Sequence, residues 1–170
     1  MDFPRVAALV FVGLAAAIDV RTRRIPNLVT LGGAAVAVAF HTLTAGVGGL
    51  GHSSAGWAVG VGLFLPMFLL RGMGAGDVKL LGAVGAWLGP TGALWSGFLS
   101  VMAGGILALV VGTRHGYLGQ AFRNLWAILG FWRTTGIRPV PGLTVEDSAG
   151  PRLAYGVAIA AGTLAAVLLD

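Results

Sequence analysis

Long apolar runs dominate the chain, broken at intervals by Gly, Pro or a short charged cluster. The hydrocarbon core of a bilayer takes about 20 predominantly apolar residues per crossing helix. Six runs suit that role: about Phe3–Val20, Pro26–Ala45, Ala55–Leu70, Asp77 to Gly89-Pro90, Gly92–Gly112 and Arg152–Leu169. Pro26 is well placed at a first helical turn, where its missing amide is no loss. The fourth run is short enough to be either spanning or re-entrant. The pattern predicts an all-α, polytopic membrane protein of about six transmembrane helices, with residues 1–170 as a single integral-membrane domain.

Between the fifth and sixth runs the pattern changes. Residues 113–150 read as a loop, and Ala121–Trp132 within it places Phe122, Leu125, Trp126 and Leu129 at helical spacing. Two tryptophans and flanking arginines suit a helix lying in the membrane interface over 121–132; the alternative is a short hydrophobic loop packed on the bundle. Polar residues, Gly and Pro then mark Thr134–Gly150 as loop. Gly56/Gly60 and Gly85/Gly89 are spaced to let helices approach closely. Gly72, Gly74 and Gly76 crowd the approach to Asp77, where they would permit backbone angles and contacts closed to larger residues.

Composition and charge then sharpen this reading. Charged residues make up 10% of the chain, against about 25% in soluble domains, which sets ordinary soluble globular domains aside. A net charge of +5 would suit nucleic acid, but Lys and Arg in a membrane protein mark cytoplasmic loops, so no nucleic-acid partner is expected. With six crossings and the N-terminus outside, the inner loops hold Arg21, Arg23, Arg24, Arg71, Lys79, Arg114, Arg123, Arg133, Arg138 and Arg152, and the outer side only Arg5. A non-crossing fourth run would move Arg114–Arg138 outside, against that bias. Six crossings also put Asp19 and Asp77 on one cytoplasmic face. Charge follows the first apolar run rather than preceding it, so that run reads as a retained helix and not a cleavable signal. Cysteine is absent, which excludes disulfides and thiolate metal sites.

The acidic residues are few: Asp2, Asp19, Asp77, Glu146, Asp147 and Asp170. Only Asp19 and Asp77 sit at the ends of apolar runs, and a carboxylate at the edge of hydrocarbon is costly enough to be a functional candidate. Each also has a structural reading. Asp77 suits a helix N-cap, and Asp19 a helix-end residue paired with Arg21 or Arg23. Asp77 falls where a helix dipole favours an anion, Asp19 where one is disfavoured. Two close carboxylates cannot easily both ionise, so they share a proton and can hydrolyse a peptide as general base and general acid. Such chemistry needs no cofactor, metal or nucleophilic side chain. His41, His52 and His115 are scattered along the sequence and read as surface or packing residues, with His41 and His52 near the outer side.

Asp19 followed by Arg21, Arg23, Arg24 and Ile25-Pro26-Asn27, with Gly74-Ala75-Gly76-Asp77-Val78-Lys79 later, resembles the type IV prepilin peptidase family, in particular its short branch serving Flp/Tad-type pili. Arg152-Leu153-Ala154-Tyr155-Gly156-Val157-Ala158-Ile159-Ala160 is similar to the family's last helix, so the resemblance covers nearly the whole chain. The Gly-x-Gly-Asp motif carries little alone; its combination with the Asp19 element and six spans carries the comparison. The resemblance implies an aspartic endopeptidase of the bacterial inner membrane, with Asp19 and Asp77 catalytic and both cytoplasmic. Its substrates would be prepilins or pseudopilins with a single apolar helix, cut at the cytoplasmic face. Larger members add a cytoplasmic region with paired cysteines, and many methylate the new N-terminus; this chain lacks that region and every cysteine, so peptidase activity alone is expected. Presenilin-like proteases share the glycine-aspartate motif, but pair it with Tyr-Asp and Pro-Ala-Leu elements, whereas Ile18 precedes Asp19 here.

Supporting roles go to Gly74 and Gly76 before the second aspartate, and to Pro26 and Asn27, which would fix the second helix start beside Asp19. Lys79 would anchor its helix at the headgroups or tune Asp77. Arg21, Arg23 and Arg24 would set topology and contact anionic lipid. Two other classes compete: a small proton-coupled transporter or channel using the aspartates as a relay, and a non-catalytic subunit of a pilus or secretion machine. A relay would spread its carboxylates along a path through the bundle; a structural subunit would need neither.

Overall fold

A computed structural model describes residues 2–144 and 154–169. Among them are five α-helices: α1 Phe3–Thr22, α2 Asn27–Leu69, α3 Ala75–Arg114, α4 Leu118–Thr135 and α5 Tyr155–Leu169. The all-α class is as expected, and α1, α2 and α3 are long and apolar enough to cross a membrane. The segmentation differs from the pattern of runs. The second and third runs form the single element α2, and the fourth and fifth form α3.

One glycine in each long element leaves helical geometry: Gly46 (φ 60°, ψ −142°) and Gly89 (φ 73°, ψ −177°). Positive φ costs glycine nothing, and the chain reverses at both. His41 and His52 would lie about 16 Å apart on a straight helix, yet their rings are 5.7 Å apart. Leu81 and Gly97 would be about 24 Å apart, yet a Cβ on Gly97 would meet Leu81 Cδ2 at 3.2 Å. Pro90, straight after Gly89, opens the returning arm, as proline does at a first helical position. Each element is thus a hairpin of two helical arms, 27–45 with 47–69 and 75–88 with 90–114.

The stretch 46–54 between the second and third runs is therefore helical beyond Gly46. Ser53 is fully buried and donates to the Ala86 carbonyl at 2.8 Å. Further along, a Cβ on Gly56 would strike the Gly85 carbonyl, and one on Gly60 the Leu81 carbonyl. Position numbers fall on one arm as they rise on the other, so arms 47–69 and 75–88 run antiparallel with backbones in near contact. The glycine pairs thus do what their spacing predicts: small residues let dispersion contacts form between helices that lipid does not push together.

Arm 75–88 is the centre of the molecule. Leu80, Leu81, Ala83, Val84 and Ala86 are fully buried, and Val12, Ala15, Phe64 and Ile159 pack with Val78, Leu80, Leu81 and Val84. A helix apolar on all sides belongs in the interior, which explains how so short a run finds a place. Helix α5 packs on α3 and α1. The expected start of the sixth run at Arg152 lies outside the described residues.

Helix α4 exceeds the expected 121–132 at both ends and buries no residue. Phe122, Leu125, Trp126 and Leu129 are all exposed. The alternative of a loop packed on the bundle is not what the chain forms among its described residues.

Candidate active site

Asp19 lies in the last turn of α1. The helix ends at Arg23 in the left-handed conformation (φ 53°), whose amide donates to the Asp19 carbonyl at 2.8 Å. This is a common helix termination, here without glycine. Thr22 Oγ1 sits 2.9 Å from the Ile18 carbonyl and 2.7 Å from that of Arg24, holding the turn closed. Pro26 then caps α2 from just outside rather than occupying its first turn, and Asn27 is the first helical residue.

That turn packs on the start of α3. A Cβ on Gly76 would lie 3.3 Å from Ile25 Cβ, so glycine lets the Ile25-Pro26-Asn27 element sit against the Gly-x-Gly-Asp turn. Lys79 Nζ donates to Asn27 Oδ1 at 2.9 Å, tying the two motifs through side chains. Of the two roles expected for Lys79, neither describes this bond, which needs the tertiary pairing of α2 and α3.

Asp77 sits at the third helical position of α3, and the N-cap is Gly74 (φ −75°, ψ 147°). The N-cap position expected of Asp77 is thus held by Gly74, three residues earlier. The Asp77 amide donates to the Gly74 carbonyl at 3.2 Å, and a Cβ on Gly74 would lie 3.2 Å from Asp77 Oδ2. An acid at this position reaches back to the helix start as in a capping box. The glycines before Asp77 matter for proximity and not for unusual angles: none of the three has positive φ, which falls instead on Arg71 (φ 56°).

These turns bring the two carboxylates together. Asp19, 6% exposed, and Asp77 lie within electrostatic reach of each other. Asp19 Oδ2 also accepts the Gly156 amide at 3.0 Å. Gly156 is in the first turn of α5, so the carboxylate at the C-terminal end of one helix is served by the N-terminal amide of another. The disfavoured dipole expected at Asp19 is therefore offset by a helix remote in sequence. Tyr155, beside Gly156, lies within electrostatic reach of Asp77. The sequence reading placed Tyr155 and Gly156 in the stretch resembling the family's last helix, but gave neither a role at the site. Apart from that resemblance, their local signal is a Tyr-Gly pair at the start of an apolar run.

Histidine placement also departs from expectation. His41 and His52, remote in sequence, stand together at the far end of arm 75–88, where His41 Nε2 lies 3.1 Å from the Trp87 carbonyl. With Asp2, Arg5, Trp87 and Thr91 they line a cavity of about 210 Å³. Asp77 and Trp87 are about 15 Å apart along the helix, so this cavity is separate from the carboxylates. No group of three or more His, Cys, Asp or Glu side chains placed to hold a metal ion occurs among the described residues.

A family model described as the type IV leader peptidase family matches residues 6–109. The matched stretch contains Asp19, Ile25-Pro26-Asn27 and the Gly74–Lys79 motif, and ends before α4 and α5. Comparison with curated proteins and with solved structures gives no match.

Proposed function

The chain belongs to the type IV leader peptidase family, and on that premise we propose that it is a membrane aspartic endopeptidase that removes leader peptides from Flp/Tad-type prepilins or pseudopilins. One observation carries the reading: Asp19 and Asp77, from separate helices and separate motifs, converge at one end of the bundle. In this reading one carboxylate takes a proton from water as its oxygen attacks the scissile carbonyl carbon. The other gives a proton to the carbonyl oxygen. When the C–N bond breaks, the departing amine takes up a proton and the pair returns to its starting state. No further group is consumed.

Three further parts belong to the same proposal. Six arms cross the bacterial inner membrane, with Gly46 and Gly89 turning at the outer face and both aspartates at the cytoplasmic face. The charge asymmetry of the loops supports this. Helix α4 lies in the cytoplasmic interface, supported by its exposed apolar side and its arginines. The activity is peptidase without methyl transfer, in keeping with a sequence free of cysteine. The convergence of both acids at one end also sets the peptidase reading above a proton relay, which needs carboxylates along a transmembrane path.

The test is leader removal from a co-expressed prepilin. Asp19→Asn and Asp77→Asn keep an acceptor oxygen and nearly the same shape, so both should insert at normal levels. General acid–base groups contribute about 10²–10⁴-fold each, so cleavage should be lost in both. Normal cleavage by either well-inserted variant would remove that aspartate from the pair.

A further inference from the structure

We infer that the first turn of α5 positions the acid pair: the Gly156 amide fixes the Asp19 carboxylate, and Tyr155, seated in a notch at Gly104, holds that turn in place. This rests on the peptidase reading above, but involves residues outside the stretch matched by the family model.

The notch follows from the register of the α3 hairpin. Leu81 lies beside Gly97, and continuing that antiparallel register places Ser100 and Gly104 level with Val78 and Gly74, the turn that carries Asp77. Tyr155 fills the space there. A Cβ on Gly104 would lie 2.6 Å from Tyr155 Cε2, so a side chain there would displace the ring from this seat. On its other side the ring meets Phe64 edge-on at a centroid distance of 5.8 Å. The hydroxyl lies 3.4 Å from the Ser100 carbonyl, too long to hold the residue alone. Seating of the ring therefore fixes Tyr155, and Gly156 follows it directly in the chain.

Gly156 is matched to Asp19 as closely. A Cβ there would stand 3.0 Å from Asp19 Oδ2 and 3.1 Å from Asp19 Cβ. A side chain there would press Asp19 away by a few tenths of an ångström, so glycine keeps the amide and the carboxylate at bonding distance. The bond occupies one lone pair of Oδ2 and sets the plane of the carboxylate, leaving its remaining acceptor positions for the reaction. These residues act through Asp19, so they are positioning residues.

Tyr155-Gly156 is the sole Tyr-Gly pair in the sequence, so labelling Tyr carbonyl carbon and Gly amide nitrogen isolates one amide signal in the full chain in nanodiscs. Asp19→Ala should move that signal upfield as the bond is lost, and Asp19→Asn, which keeps an acceptor, should move it less. In cleavage assays Gly156→Ala, Gly104→Val and Tyr155→Ala should each lower kcat by about 10- to 100-fold, since a ~1 Å misplacement can cost about 10²-fold. KM should stay within about threefold, as expected when only transition-state contacts are lost. Tyr155→Phe keeps the ring and should cleave as the parent does. A Gly156 signal indifferent to Asp19→Ala overturns the inference, as does parental kcat in both Gly156→Ala and Tyr155→Ala. Cleavage by the Asp19→Asn and Asp77→Asn variants would instead overturn the peptidase reading while leaving the amide signal as expected, so the two failures are distinct.

Discussion

The bond between Lys79 and Asn27 offers a measurable link between the two motifs. Its length is 2.9 Å. Hydrogen bonds to charged groups contribute about 1.5–3 kcal/mol, whereas exposed charged pairs contribute about 0–1 kcal/mol. Lys79 is half-buried and Asn27 exposed, which places the expected coupling near 1 kcal/mol. A double-mutant cycle with Asn27→Ala, Lys79→Met and the double variant, followed by equilibrium unfolding in bicelles, isolates that term. Each single change should destabilise the protein, and the double should fall short of the sum by about 1 kcal/mol. Leader removal should slow about fivefold in each single variant if the same ~1 kcal/mol is felt at the transition state. The double variant should be no slower than the worse single one. Energies that add within about 0.3 kcal/mol, the scatter of independent sites, would refute a working Lys79–Asn27 contact and return Lys79 to a headgroup role.

Glycine substitutions on two sides of one helical arm should diverge. Gly60→Ala drives a methyl into the Leu81 backbone and should cost at least about 3 kcal/mol, the upper end of overpacking, whereas Gly62→Ala enters open space and should change unfolding free energy by less than about 1 kcal/mol; equal effects would contradict the packing. Cysteines at Arg24 and Val47 test orientation in intact cells. Val47 is 85% exposed, unlike buried Ser53, and an impermeant reagent should reach position 47 and not 24; the reverse labelling would invert the topology. For α4, a bimane probe at Phe122 or Trp126 should be quenched by brominated lipid and one at Asn124 should not. Equal response on both faces would place the helix away from the interface.

Much of the architecture was open to inspection in the sequence, because hydrocarbon filters residues harshly and leaves a strong pattern. The apolar runs located the helices, the close-packing glycines were visible by spacing, and the Asp19 and Asp77 carboxylates stood out as costly residues at run ends. Helix α4 was legible too, through the spacing of Phe122, Leu125, Trp126 and Leu129. These properties are local: period, length and charge are carried by neighbouring residues.

Tertiary structure decided what depends on remote contacts. The exact turning points at Gly46 and Gly89 could not be told from other glycines, since a glycine shows its positive φ only once both arms are packed. His41 and His52 looked scattered because nothing local reveals that the chain doubles back between them. The Lys79–Asn27 bond and the amide of Gly156 on Asp19 both join elements distant in sequence. The last is clearest physically. A carboxylate at the C-terminal end of α1 looks misplaced when only its own helix is considered, and becomes well served once the N-terminus of α5, held by Tyr155 against Gly104, is brought to it.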